Sequence, residues 1–434
     1  MTKLKIALIS LGCDKNLVES ERILGALSGG SYEFVPGEED ADVIIINTCG
    51  FIKDAADEAL EHIASALELG AKVVVTGCLV QRLADGDSSD RGRSPLQVEY
   101  PAASFVGDTG KLARIVSELT GVEAVQGVDR VLSTPPHYAY LKIAEGCDNN
   151  CSYCTIPLIK GGYKSVPVDV LVAEARSLAG GGVKELIIVA QDTAYYGTDL
   201  YGSPRIVQLL QELSSVGGIE RLRLMYCYPE HITDELIYEI ANNPKVCRYL
   251  DMPIQHSNGN ILRKMGRNID EDGLRDLVVR LRTAAPEIIL RTTVMAGFPG
   301  ETKQEFQSML KFLEEIRFDR LGAFAYSREE GTPAYDMPEQ LPEKTKQARR
   351  DRIMEQQSRI SLENNQKHIG KTLRVVVDGW DGIAGVYFCR SYMDCPEVDG
   401  LVYVKGKFGQ LTAGEFVDVV INDAEEYDLY GVIK

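Results

Sequence analysis

The chain has 434 residues, 44% apolar and 26% charged, and a formal net charge of −17, too long for one ordinary hydrophobic core, so two or three domains are expected. No apolar run reaches the roughly 18–20 residues that a membrane span needs. The acidity argues against a broad phosphate-binding surface, which relies on Lys and Arg, and suits a basic protein partner.

From the N-terminus, the apolar stretch Ile6–Leu11 is short and runs into Gly12 and Cys13, without the long core and cleavage site of a signal peptide. A cytoplasmic protein is expected, and its ten cysteines then point to metal or redox chemistry rather than a disulfide framework. Lys5–Ser10, Val43–Asn47 and Lys72–Thr76 are continuous apolar runs of the buried parallel-strand kind, and the amphipathic stretches Leu17–Leu27 and Ala55–Leu69 lie between them. This alternation predicts a parallel sheet with helices on both faces. Cys13, Cys49 and Cys78 each follow the C-terminal end of a predicted strand, where such sheets form their ligand crevice, so the three thiols can converge. Three buried structural cysteines is the plainer alternative. The polar stretch Ala84–Pro101 reads as a surface loop.

Between about 137 and 340 the rhythm repeats, with predicted strands at Ala139–Ala144, Glu185–Ala190, Arg221–Tyr226, Tyr249–Pro253, Ile288–Met295 and Arg320–Tyr326. A partial (β/α) barrel, open on one side, or an α/β sandwich would accommodate them. Directly after the first of these strands comes Cys147-Asp-Asn-Asn-Cys151-Ser-Tyr-Cys154. Three thiolates so close can wrap one face of a cubane iron–sulfur cluster and leave the fourth iron open to a ligand. A three-cysteine zinc site with a distant fourth ligand is the alternative, although no histidine follows at zinc-finger spacing. Barrel sites gather at strand C-termini, which places Gln191 and Asp192, Gln255 and His256, and the turn Gly297-Phe-Pro-Gly-Glu301 around the pocket. Arg291 and Thr293 share one strand face and are further candidates. Cys227, Cys247, Cys389 and Cys395 show no comparable arrangement and are read as buried or incidental thiols.

Pro333, Pro338 and Pro342 then punctuate a loop, and Glu343–Asn364 is a highly charged helical stretch. After it, Leu373–Val377, Gly400–Val404 and Phe416–Ile421 alternate between Gly-rich turns, the pattern of a small antiparallel barrel. From Lys371 to Lys434 there are 6 Lys/Arg against 11 Asp/Glu. An RNA-gripping domain should be basic, whereas this one suits a basic protein.

The spacing of Cys147, Cys151 and Cys154, with Tyr153 before the third, resembles the signature of radical S-adenosylmethionine (SAM) enzymes. The resemblance implies that SAM chelates the open iron and is cleaved reductively to a 5′-deoxyadenosyl radical. Together with the first cysteine trio and the terminal barrel, it extends over essentially the whole chain to the methylthiotransferase family. The implied architecture is α/β multidomain: a flavodoxin-like parallel sheet over 1–130, a partial (β/α) radical SAM barrel with a linker helix over 133–366, and a C-terminal antiparallel TRAM β-barrel over 367–434. The implied cofactors are SAM and two 4Fe-4S clusters, one on Cys147, Cys151 and Cys154, the other on Cys13, Cys49 and Cys78. Tyr153, Gln191, Asp192, Gln255, Gly297 and Glu301 become the expected cofactor-binding residues.

Several strings resemble the ribosomal-protein branch (RimO-type) rather than the tRNA branch, among them Ser10-Leu-Gly-Cys-Asp-Lys-Asn16, Gln191-Asp-Thr-Ala-Tyr-Tyr-Gly197 and Asp251-Met-Pro-Ile-Gln-His256. That branch implies methylthiolation of an aspartate β-carbon in a basic small-subunit ribosomal protein, the twelfth in standard naming, free or on the ribosome. It also implies an electron-donor protein, and it leaves direct RNA binding open. The alternatives are a tRNA adenosine methylthiotransferase and a non-catalytic iron–sulfur protein that binds the ribosome. Lys160, Lys164 and Gly266 depart from the family's pattern, which favours arginine at the first two and a basic residue at the third. Lysine keeps the charge but loses the planar bidentate fork.

Overall fold

Runs of β-branched residues set the first sheet. The computed structural model describes residues 3–83, 94–107, 111–122 and 130–434, folded as two compact units. One comprises Met1–Thr134, Glu145–Tyr163 and Glu329–Tyr335, the other Pro135–Ala144, Lys164–Arg328 and Asp336–Lys434. In the first unit, strands β1 (Leu4–Ser10), β2 (Tyr32–Phe34), β3 (Val43–Thr48), β4 (Lys72–Gly77) and β5 (Ser104–Val106) form one sheet in the order β2-β1-β3-β4-β5. Every pair is parallel, so this is the flavodoxin-like order, with its switch point between β1 and β3.

Period-two geometry explains why β3 is apolar throughout. Ile44 and Ile46 face a core shared with Ala59 and Ile63 of helix α2 (Lys53–Glu68). Val43 and Ile45 face the opposite core, with Ile23 and Leu27 of helix α1 (Asp14–Ser28). Each fully buried aliphatic side chain contributes about 1.5–3 kcal/mol. Helices α3 (Cys78–Leu83), α4 (Pro95–Glu99) and α5 (Leu112–Thr120) complete this part, and α6 (Ile156–Lys160) follows the second cysteine run. Strands β2 and β5, three residues each, are too short to announce themselves by pattern. The stretch read as a loop from Ala84 to Pro101 contains α4, which starts on a capping box between Ser94 and Gln97 with Pro95 in the first turn. Residues 84–93 of that stretch lie outside the described residues.

In the second unit, six strands lie side by side in chain order: Tyr138–Lys142, Glu185–Val189, Arg221–Leu224, Val246–Asp251, Ile289–Ala296 and Arg320–Ala325. All neighbours are parallel, and the first and last strands do not pair, so the (β/α) barrel is open. Helix Glu343–Gln366 leads to a closed five-strand barrel, made of Thr372–Asp381, Val386–Arg390, Val402–Lys405, Phe416–Ala424 and Leu429–Ile433. Four of its pairings are antiparallel, but Val402–Lys405 and Leu429–Ile433 run parallel. The small antiparallel barrel expected there closes on that one parallel pair, because a closed ring with an odd number of strands cannot alternate direction throughout.

Buried charges join this small barrel to the (β/α) barrel. Glu185 pairs with Arg223 at 3.0 Å and with Arg390 at 2.8 Å. Arg390 also grips Asp378 at 2.7 and 3.0 Å, and Asp378 meets His137 at 2.7 Å. Burial alone would raise the Glu185 carboxyl, but Arg390 and Arg223 outweigh it and hold it down at about 2. No described helix is long and apolar enough to cross a membrane.

Candidate cluster and cofactor sites

The first cysteine trio stands on the register of its sheet. Ser10 lies opposite Asn47, and Asn47 opposite Thr76, so β1, β3 and β4 end at one level. Cys13 caps the start of α1, Cys49 directly follows β3, and Cys78 opens α3. The first two loops touch: a side-chain carbon on Gly12, whose φ is +94°, would lie 3.1 Å from the Cys49 sulfur. Glycine is therefore required at that turn.

Asn16 braces all three loops from beneath. Its Nδ2 donates to the carbonyls of Leu11 and Thr48, each at 3.0 Å, and its Oδ1 accepts from the Cys78 thiol at 3.5 Å. Asn47 donates to the Asn16 carbonyl and to Ser20 Oγ, both at 2.9 Å, and Ser20 reaches Ser10 at 2.8 Å. Thr48 Oγ1 ties β3 to the Thr76 carbonyl at 2.6 Å. Neutral amides and hydroxyls thus fix the thiols without adding charge. Burial raises the Cys49 thiol, and it pushes Cys78 up to about 11 despite the opposing charge of Lys160.

The second trio is a local loop folded into the same unit. The Cys147 N–H donates to the Gly161 carbonyl at 3.1 Å, Tyr163 N–H to Asp148 at 2.9 Å, and Cys154 N–H to the Cys151 carbonyl at 3.1 Å. At Gly146 φ is +77°, and a side-chain carbon would sit 2.2 Å from the Gly162 carbonyl, so only glycine closes the loop. Thr155 Oγ1 donates to the Phe51 carbonyl at 2.9 Å, tying this loop to the residues just after Cys49. Burial pushes the Cys154 thiol up to about 12, while the Ile156 N–H, 3.5 Å from its sulfur, acts the other way.

None of the ten cysteines is in a disulfide. Among the described residues, no three His, Cys, Asp or Glu side chains are grouped to hold a single metal ion. Each trio is an all-thiol donor set with backbone or amide groups at its sulfurs, which suits an iron–sulfur cluster, where cysteine thiolates are the usual ligands and hydrogen bonds to sulfur tune the potential. Cys227, Cys247, Cys389 and Cys395 are all buried, as expected of incidental thiols.

In the second unit, the strand-end residues fall into two groups. Gln191 follows strand Glu185–Val189, and its side-chain oxygen is buried with no hydrogen-bond partner. Gln255 holds φ +65°, with its N–H on the Thr293 carbonyl at 2.9 Å and its own carbonyl accepting from Met295 at 2.7 Å. Tyr226, at the end of a neighbouring strand, has φ +59°. Left-handed non-glycine residues cost about 1–3 kcal/mol and cluster at functional sites. Asp192 and Glu301, in contrast, are engaged within the protein. Asp192 meets His231 Nδ1 at 2.6 Å, and that imidazole stacks on Tyr228 and lies tilted against Tyr195. Burial alone would lower the His231 pKa, but the Asp192 carboxylate raises it overall. Glu301 accepts from the Gly297 N–H and from Arg349, with His256 at 3.4 Å, and so holds the Gly-Phe-Pro-Gly turn in shape. Arg291 is committed to Asp251 at 2.7 Å and Asp399 at 3.4 Å. Tyr153 lies in the second cysteine loop of the first unit. The roles of Asn16 and His231 are not legible in the sequence: Asn16 enters only as the last residue of the string Ser10–Asn16, with no bracing role attached.

Comparison with known proteins gives three family matches: Uncharacterized protein family UPF0004 over residues 5–91, the Radical SAM superfamily over 141–313 and the TRAM domain over 369–433. The ribosomal protein uS12 methylthiotransferase RimO of Thermoanaerobacter sp. (strain X514) is 43% identical, covering 98% of this chain and 99% of that protein. The protein of the same name from Caldanaerobacter subterraneus subsp. tengcongensis is 45% identical, with 98% and 99% covered. Among solved structures, the radical SAM methyltransferase TsrM of Kitasatospora setae, with cobalamin and a [4Fe-4S] cluster bound, shares the fold. Its TM-score is 0.56 at 15% identity, over 95% of this chain and 84% of that one. On full-length identity, this chain belongs to the RimO family of methylthiotransferases, within the radical SAM superfamily.

Proposed function

We propose that this protein is a radical SAM methylthiotransferase that adds a methylthio group to the β-carbon of an aspartate in ribosomal protein uS12. The observation that carries the reading is the presence of two all-cysteine trios in one compact unit of a chain whose relatives, named for that activity, match it end to end. In this reading Cys147, Cys151 and Cys154 hold the cluster that binds SAM, and Cys13, Cys49 and Cys78 hold a second 4Fe-4S cluster. When bound, the first cluster supplies the electron for reductive cleavage of SAM and the second supplies a source of sulfur. Gln191, with its unsatisfied buried oxygen, and Gln255 are the SAM-binding candidates of the second unit, and Tyr153 is that of the second cysteine loop. Asp192 and Glu301 position the strand ends, and Gly297 shapes the turn.

The reading places the domain boundaries near 130 and 367 and the enzyme in the cytoplasm. It calls for an electron-donor protein and for uS12, free or on the assembled subunit. The acidic terminal barrel, 6 Lys/Arg against 11 Asp/Glu, favours a basic protein over RNA as the docked substrate. Intact-mass spectrometry of ribosomal proteins from cells with and without this gene, run beside tRNA nucleoside analysis, tests it. Loss of one methylthio mass from uS12 alone is expected. Loss of a methylthiolated nucleoside instead would reassign the chain to tRNA.

A further inference from the structure

Lys160 ends helix α6. Its side chain is 9% exposed, and its ammonium pairs at 2.9 Å with Glu145, whose side chain is 35% exposed. The residue after it, Gly161, takes the hydrogen bond from the Cys147 N–H, which pins this helix end to the second cysteine trio. Helix α6 also packs against α3, which opens with Cys78 of the first trio, and Lys160 is the chief positive charge acting on that thiol. A largely buried cation therefore lies beside both trios, and Glu145, the carboxylate paired with it, is half-exposed.

The proposed reaction constrains what else can occupy this place. The carbon that exchanges hydrogen for sulfur must be held within contact of both the radical source and the sulfur source. On an aspartate, that carbon bears the carboxylate directly, so the anionic oxygens arrive where Lys160 is. We propose that Lys160 binds the carboxylate of the substrate aspartate, and that Glu145 holds the ammonium in place until the substrate displaces it. The inference rests on the functional reading above and adds to it a residue that selects aspartate over the isosteric, uncharged asparagine.

The test uses the reconstituted holoenzyme and two labelled peptides spanning the target aspartate of uS12, one with aspartate and one with asparagine at the modified position, compared by anaerobic fluorescence anisotropy. The native enzyme is expected to bind the aspartate peptide about tenfold or more tightly than the asparagine peptide, the scale of one charge-assisted contact. Lys160→Met should bind both equally, and Lys160→Arg should retain the preference. Glu145→Gln should bind the aspartate peptide a few-fold more tightly, by removing the competing carboxylate. The Glu145→Gln arm does not depend on whether Lys160→Met keeps its iron. A preference that survives in Lys160→Met, no preference in the native enzyme, or no tightening in Glu145→Gln would each overturn the proposal. Equal affinities in an enzyme that does modify uS12 sink only the role of Lys160, whereas unmodified uS12 in cells sinks the functional reading itself.

Discussion

The two cysteine trios reach the same donor set by opposite routes. Cys13, Cys49 and Cys78 are far apart in sequence and are brought to one edge of the sheet because three strands end in register and Asn16 ties their loops together. Cys147, Cys151 and Cys154 lie within one turn of chain, closed on itself by Gly146 and the Cys147–Gly161 hydrogen bond. The first trio inherits the rigidity of a buried sheet and is vulnerable to whatever disturbs strand register. The second depends mainly on a few local backbone bonds, with the Thr155–Phe51 hydrogen bond and the packing of α6 on α3 as its ties to the first.

The largest expected effect separates their roles. Cys147→Ala should abolish 5′-deoxyadenosine formation yet keep about half the iron, whereas Cys78→Ala should lose the other half and still cleave SAM. Reductive cleavage persisting in Cys147→Ala would reverse the assignment. Next, Gly146→Ala forces a side chain against the Gly162 carbonyl in a left-handed turn. It should cost about 2–4 kcal/mol locally and deplete only the second cluster, as read by its electron paramagnetic resonance signal. Equal depletion of both signals would mean that the loops are not independent.

Asn16→Ala should do the reverse at a smaller cost of about 2 kcal/mol, by leaving the Leu11 and Thr48 carbonyls without their donor. Iron bound in a Cys147/Cys151/Cys154 triple-alanine background reports the first trio alone, and unchanged loading there would refute the bracing role. The mildest perturbation is removal of iron with a chelator. Hydrogen exchange should then quicken over 147–162 and stay slow at Ile9, Ile46 and Val75, whose amides sit in the sheet ladder. Uniform quickening would erase the distinction.

The same contrast explains what could be read from sequence. Three thiols in eight residues announce themselves by spacing. The dispersed trio became legible only because Lys5–Ser10, Val43–Asn47 and Lys72–Thr76 are apolar enough to be recognised as strands, which put each cysteine at a strand end. Short elements were missed where the pattern had no room to repeat, as at Tyr32–Phe34 and Ser104–Val106. Helix Pro95–Glu99 had a signal in Ser94, Pro95 and Gln97, but the polar residues before it dominated the reading. The bracing by Asn16 and the pairing of Asp192 with His231 depend on residues brought together by the tertiary fold, and no local spacing encodes them.

The chain of charges from Arg223 through Glu185, Arg390 and Asp378 to His137 has a consequence for how such proteins diversify. The terminal barrel looks like a cassette that could be shuffled between enzymes to change what they recognise. Yet its Arg390 and Asp378 complete a circuit whose other members lie in the (β/α) barrel. A graft lacking Arg390 would leave Glu185 with Arg223 alone, and one lacking Asp378 would strand the buried Arg390 and His137 without their shared carboxylate partner, a defect of about 3–5 kcal/mol. Exchange of the terminal barrel therefore demands that both sides of the seam change together.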